Sequence, residues 1–178
     1  MAFLRAINVG GHTVKMDELR ALFESLGFSK VETFIASGNV IFETKSGKAQ
    51  ALQTEIEKLL FQSLGYEVAT FIRTDAEVAD IAQYKPFSES ALQSARALNV
   101  AFLAEPLPDE AKKALMGLKT DIDDFHVHGR EVYWLCLKKQ SESTFSNALF
   151  ERTLKLQTTL RGFNTVLKLA AKYPPSPT

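Results

Sequence analysis

One cysteine among 178 residues leaves no partner for an internal disulfide. That excludes a stapled secreted scaffold and fits a reducing, cytoplasmic setting. The residue, Cys136, lies inside Val132-Tyr133-Trp134-Leu135-Cys136-Leu137, where a buried and inert thiol is expected. Long apolar runs are missing too. None approaches the roughly 18 residues of a membrane span, and the residues after Met1 read as a strand rather than an export signal, so no membrane partner is expected. Net charge is absent, with Lys+Arg and Asp+Glu at 21 each, and no overall field draws the chain to nucleic acid or an anionic lipid surface. Half of the 6 prolines crowd the tail Pro174-Pro175-Ser176-Pro177, the one stretch expected to lack a fold.

What is present suits a packed α+β protein: 46% hydrophobic residues and 13 Phe to fill one or two cores. Ala2 to Ile7 is a short apolar strand that ends at Asn8-Val9-Gly10-Gly11. Met16, Leu19, Leu22, Phe23 and Leu26 recur at helical spacing, Asp17 and Glu18 sit where the dipole favours anions, and Gly27 stops the helix. Val31 to Ala36 and Val40 to Glu43 are strands joined through Ser37-Gly38-Asn39 as an antiparallel hairpin. Leu52, Ile56, Leu59, Leu60 and Leu64 form a helical stripe closed by Gly65, and Glu67 to Arg73 is a fourth strand. The order strand, helix, strand, strand, helix, strand is that of the ferredoxin-like fold, an antiparallel sheet with both helices on one face.

Thr74-Asp75-Ala76-Glu77 has capping-box spacing, so a helix follows to about Tyr84 and stops at Lys85-Pro86-Phe87. Ser88 to Ala95 reads as a connection. The order then repeats: strand Leu98 to Leu103, helix Asp109 to Leu118, strands Ile122 to His128 and Glu131 to Leu137, helix Phe145 to Leu154, strand Gln157 to Leu160. A last helix, Phe163 to Lys172, carries Phe163, Val166, Leu167 and Ala170 on one side and should pack back across a module. The expectation is two tandem ferredoxin-like (βαββαβ) modules plus a C-terminal helix: residues 1–86 with the trailing helix, then 95–173. In the first strand neither Phe3, Arg5 and Ile7 nor Ala2, Leu4 and Ala6 make a polar face, and Phe34, Phe42 and Phe71 reinforce this. The face opposite the helices should therefore meet the second module, a partner subunit or a ligand.

Leu4-Arg5-Ala6-Ile7-Asn8-Val9-Gly10-Gly11, Met16 to Leu19, Ser37-Gly38-Asn39-Val40-Ile41-Phe42 and Arg161-Gly162-Phe163-Asn164-Thr165-Val166 together resemble the mainly bacterial family called domain of unknown function 1697. The resemblance spans nearly the whole chain. The family pattern reads LRGINVGG, SGNV(I/V)F, NPF and RNWNT; here Ala6 replaces a glycine, Lys85 stands before Pro86-Phe87, and Gly162-Phe163 replace Asn-Trp. The resemblance implies a cytoplasmic protein of tandem ferredoxin-like architecture and supplies no activity, cofactor or catalytic residue.

Gly10-Gly11 before a helix allows backbone N–H groups to approach an anion, with Arg5, Asn8, His12 and Lys15 nearby, but neither G-x-G-x-x-G nor G-x-x-x-x-G-K-[ST] is present and a turn is the simpler account. Ser37, Gly38 and Asn39 likewise satisfy a tight turn. Asn164 and Thr165 at the start of the last helix can cap it, whereas Arg161 suits a bidentate contact to carboxylate or phosphate. His126 and His128 share a strand face without a third metal ligand, and Asp121, Asp123 and Asp124 read as a solvated acidic loop. No metal site and no nucleophilic triad is expected, and no cofactor is indicated.

Three readings follow. The first is a small anionic or nucleotide-like ligand held between the modules by Arg5, Asn8, Gly10, Gly11, Lys15, Ser37, Asn39, Arg161, Asn164 and Thr165, with catalysis left open. It carries a geometric expectation: the end of the first strand and the turn between the second and third lie at opposite ends of the sheet, so the second module must bridge them. The second reading is nucleic acid stacked on sheet aromatics, weakened by neutral charge and by Asn39-Val40-Ile41-Phe42-Glu43 on the third strand. The third is an assembly unit that dimerises through the apolar sheet face.

Overall fold

The structure is a computed structural model that describes residues 1–35, 38–45 and 47–175. The chain divides into two compact units, Met1–Asp75 and Ala76–Thr178.

In the first unit the elements run β1 (Ala2–Leu4), α1 (Met16–Ser25), β2 (Ser29–Thr33), β3 (Asn39–Glu43), α2 (Ala49–Leu64) and β4 (Thr70–Ile72). The strands form a four-stranded sheet in the order β2-β3-β1-β4 with every neighbouring pair antiparallel. The apolar stripes of α1 and α2 explain where the helices sit. Leu19, Phe23, Ile56 and Leu60 are fully buried and join Leu4, Val40 and Ile72 of the sheet in one cluster. Each such burial contributes roughly 1.5–3 kcal/mol before the entropy of ordering is counted. Phe28 stacks on Phe42 at 4.4 Å and closes the edge of this core.

The strands are shorter than the hydrophobic runs suggest. β1 ends at Leu4 rather than Ile7 because Ala6 takes a φ of 52°, which a β ladder cannot continue. That turn carries Ile7 out of the alternation that groups it with Phe3 and into the helix-side core. Phe3 and Phe71, paired across β1 and β4, lie on the other face and are also buried. β2 begins at Ser29 and carries a register shift between Ser29 and Glu32, where Lys30 has a φ of 49°.

The second unit contains α3 (Asp75–Gln83) but for its first residue, so this helix groups with the second unit whereas the sequence attached it to the first. It continues α4 (Glu89–Ser94), β5 (Ala97–Phe102), α5 (Asp109–Met116), β6 (Asp123–His128), β7 (Glu131–Cys136), α6 (Asn147–Leu154), β8 (Thr159–Gly162) and α7 (Phe163–Lys172). α4 replaces the expected connection. Ser88 caps it, its hydroxyl accepting from the Ala91 N–H at 3.3 Å, and a polar composition hid this short helix. The sheet order β6-β7-β5-β8 repeats that of the first unit, again antiparallel throughout. Leu115 of α5 and Phe150 of α6 cover one face with Ala101, Val132 and Trp134. On the other face the Tyr133 ring meets Phe163 of α7 at 6.4 Å, and its hydroxyl donates to the Ile81 carbonyl of α3 at 3.5 Å. The last helix does pack back across its own sheet.

Candidate ligand site

The residues proposed from the first unit lie at one end of its sheet. Asn8, Gly10 and Gly11 occupy the loop from β1 to α1, and Lys15 immediately precedes α1. Gly38 sits against the end of β1: its carbonyl accepts from the Leu4 N–H at 2.8 Å, and a Cβ on it would stand 2.9 Å from Ile7 Cγ2. The β2–β3 turn and the end of β1 are therefore neighbours. The expectation that they lie at opposite ends is corrected, because β3 runs antiparallel to β1 and Asn39 pairs with Phe3. Ser37 lies outside the described residues.

Most of this end is occupied with holding itself. Asn8 Oδ1 accepts from the Val14 N–H at 2.8 Å, which closes the loop. Tyr66 braces it from beyond the end of α2, its hydroxyl donating to the Ile7 carbonyl at 2.9 Å while His12 stacks on its ring at 3.8 Å. Burial, and secondarily Glu18, raise the Tyr66 pKa and keep that hydroxyl a donor. Gly10 and Gly11 have φ values of 69° and 86°, and a Cβ on either would meet nothing within 4 Å, so they serve backbone direction and not close approach. Asn39 is buried and its Nδ2 donates to the Phe34 carbonyl at 2.9 Å. Arg5 is half-buried, its N–H bonded to the Ala69 carbonyl. Of the two cations in the β1–α1 segment only Lys15 is exposed, and Asp17 and Glu18 in the next turn oppose an anion.

In the second unit Arg161 lies in β8 and not at the start of α7, because β8 runs two residues further than the apolar pattern suggested. It is 7% exposed, and its Nη1 donates to Thr159 Oγ1 at 2.7 Å and to the Leu160 carbonyl at 2.9 Å. Burial lowers the guanidinium pKa to about 10. Neither Asn164 nor Thr165 caps α7. The N-cap is Gly162, with no side-chain hydrogen bond.

Asn164 instead lines a cleft of about 480 Å³ with Arg96, Leu98, Asn99, Gln140 and Phe163. Asn99, on β5 opposite Gly162, is 6% exposed, and its Nδ2 has no hydrogen-bond partner among the described residues. A buried amide donor without an acceptor costs on the order of 1–3 kcal/mol. Asn99 pairs with Trp134 and so shares the sheet face of Ala101 and Trp134, opposite the face on which Phe163 meets Tyr133. It is absent from the residues singled out in the sequence because it lies inside Leu98-Asn99-Val100-Ala101-Phe102, although a polar residue in an apolar strand was the available signal. A second cleft of about 390 Å³ is lined by Lys119, Asp121, Asp123 and Asp124, and its one cation, Lys119, already lies 2.7 Å from Asp124.

Two further groups resolve into structure. The acidic loop reading fails at Asp123, which is 1% exposed and accepts from Trp134 Nε1, Ser143 Oγ and Thr120 Oγ1, each at 2.8 Å. His126 Nε2 bonds the Tyr84 hydroxyl at 2.8 Å, and His128 stacks on the Tyr84 ring at 3.9 Å. Cys136 is fully buried, and that burial raises its thiol pKa, which makes it unreactive.

Three comparisons bear on these sites. The family model described as protein of unknown function (DUF1697) matches residues 1–133. The solved structure of the conserved bacterial protein SP0830 from Streptococcus pneumoniae is similar at a TM-score of 0.73 and 23% identity, over 95% of this chain and 96% of that one. Comparison with curated proteins gives no match. At that identity the structural likeness speaks to the fold alone.

Proposed function

The chain belongs to the DUF1697 family of proteins of unknown function, and from that membership, which assigns no activity, we propose a cytoplasmic binding protein for a small anionic ligand. We read its two units as tandem ferredoxin-like modules. The support is the shared strand order, in which the first strand of each unit lies between that unit's third and fourth, with antiparallel pairing throughout. No helix among the described residues is long and apolar enough to cross a membrane.

The ligand site is the cleft of the second unit, and the observation that carries it is its lining, in which Arg96 is the one cation and no residue is acidic. Arg96 gives the cleft its cation and Asn164 a further polar group, while Leu98 and Phe163 give it an apolar wall. Of the residues singled out in the sequence, Asn164 belongs to this site. Arg161 is a supporting residue one position before Gly162, with its fork turned to Thr159 and the backbone.

The test is a thermal-shift panel of small organic anions on the full chain and on Arg96→Glu. Arg96 is exposed, so reversing its charge leaves the core untouched. Compounds that raise the melting temperature of the parent should lose that effect in the variant. Equal shifts in both proteins would place the binding elsewhere and end this reading.

A further inference from the structure

We propose that α4 is a strap that lifts off the second sheet as a unit while the rest of the fold stays intact, and so gates the cleft read above as the ligand site. The use of the motion rests on that ligand reading, whereas the motion itself follows from how α4 is attached.

α4 has 6 residues, and none of them is buried. Its polar groups bond only among themselves. The Ser88 hydroxyl accepts from the Ala91 N–H, the Leu92 N–H donates to the Ser88 carbonyl, the Ala95 N–H to the Ala91 carbonyl, and the Ser94 hydroxyl to the Ser90 carbonyl. Among the described residues, no hydrogen bond or ion pair ties residues 88–95 to any other part of the chain. The attachment is therefore apolar and small, through half-buried Ala91, Leu92 and Ala95. A helix this short does not hold in water by itself, so α4 lasts only while those contacts do. Few apolar contacts and no outside hydrogen bond are the marks of a segment that opens before the rest.

Both ends of the strap are anchored. Before it Pro86 is buried and Phe87 meets the His126 ring edge-on at 6.2 Å, and after it the Arg96 N–H donates to the Cys136 carbonyl at 2.8 Å. The hinges are Ser88 and Ala95, extended residues with ψ of 155° and 140°. What lies on either side gives the motion its use. Ser90, Ala91 and Ser94 line the cleft of about 390 Å³, and Leu92 and Ala95 line that of about 480 Å³, so α4 is the wall between them. Leu135 lines the first and Leu98 the second, and these two residues are partners in the β5–β7 register. Lifting α4 joins the clefts into one groove with Leu98 and Leu135 on its floor. A ligand enters with the strap raised and is enclosed when Leu92 and Ala95 return.

Native-state hydrogen exchange by NMR on the full chain, with no ligand added, tests the motion. The amides of Leu92 and Ala95 should exchange through one shared opening at least about a hundredfold more frequent than that of Val100 and Tyr133, and their exchange should respond far more weakly to urea. A thiol placed on the floor reports what the opening uncovers. Leu135 is 3% exposed, and Leu135→Cys should be modified by a thiol reagent through that same opening, while Cys136, on the helix-covered face of the sheet, stays protected. Ser88→Ala removes the cap of α4, and it should speed the α4 exchange and the labelling of Leu135→Cys by one common factor, about fivefold. If the α4 amides exchange no faster than Val100 and Tyr133, α4 opens only with the whole unit and the strap is wrong. If they exchange fast but Ser88→Ala leaves the labelling unchanged, the helix frays in place without baring the floor, which overturns the proposal as well. Neither measurement involves a ligand, so the cleft reading stands or falls on its own thermal-shift test.

Discussion

Replacing Asp123 by alanine should destabilise the second unit through one named donor. The carboxylate accepts from Trp134 Nε1, Ser143 Oγ and Thr120 Oγ1. Thr120 is exposed and Ser143 half-buried, so both hydroxyls can turn to water when the carboxylate goes. Trp134 cannot, being 4% exposed and wedged against Phe145 at 4.7 Å. An orphaned buried donor costs roughly 1–3 kcal/mol, and the two lost hydroxyl contacts add about 1 kcal/mol between them, so Asp123→Ala should lose about 2–4 kcal/mol. Urea unfolding measures this, and Trp134 is the single tryptophan of the chain, so its fluorescence reports on the perturbed site. The mechanism has its own check. Trp134→Phe removes the donor that Asp123→Ala orphans, so the double variant should be less destabilised than the sum of the singles, by about 1 kcal/mol or more, with all four proteins followed by circular dichroism because two of them lack the tryptophan. A loss below about 1 kcal/mol for Asp123→Ala, or an additive cycle, would refute the account of Asp123 as the acceptor that satisfies Trp134.

Glycines at two places should respond differently to the same change. Gly38→Ala adds a methyl 2.9 Å from Ile7 Cγ2 and 3.1 Å from Leu4 Cβ at a φ of 79°, whereas Gly10→Ala at a φ of 69° meets open space. Gly10→Ala should cost about 1 kcal/mol and Gly38→Ala about 2–4 kcal/mol in urea denaturation, and equal losses would contradict the packing seen at Gly38. Stability should also depend on pH through His126. Burial first, then His128, lower its pKa from the ordinary 6.5, against a raising effect of Asp124. The unfolded chain then takes up the proton more readily than the folded one, so the stability this ring contributes is present above about pH 6.5 and lost as pH falls toward the depressed folded value. His126→Phe should flatten that part of the profile. An unchanged slope between about pH 6.5 and 5 in the variant would remove His126 as its source.

The helices were the legible part of the sequence because their signal is local. Leu19 and Phe23, or Ile56 and Leu60, recur within a turn or two and need no distant partner to declare a buried stripe. The end of β1 and the irregularity inside β2 were not legible, because they go with positive φ at Ala6 and Lys30, residues whose side chains do not call for it. The candidate site was legible only at Asn164. The burial of Arg161 and its bonds to Thr159 Oγ1 and a neighbouring carbonyl were not legible, because they depend on β8 being a strand at that point. Asp123 looked solvated for a similar reason: its partner Trp134 lies on the next strand, and only the register pairing Phe125 with Trp134 brings the indole within reach. Asp123 and Asn99 are both defined by neighbours on another strand, which hydropathy does not encode.

The central position of β1 has a consequence for how the chain acquires its fold. Ala2, made among the first residues of this sequence, pairs with Ile72. During synthesis the apolar segment Ala2-Phe3-Leu4 therefore waits for β4, its last neighbour, before its ladder is complete, and closing so long a loop is slow beside helix formation. The second sheet makes the same demand within its own span, Phe102 waiting for Thr159. The ribosome thus releases the two closures one after the other. The first sheet has all its strands before β5 is made, and the late step in each unit is the arrival of its final strand.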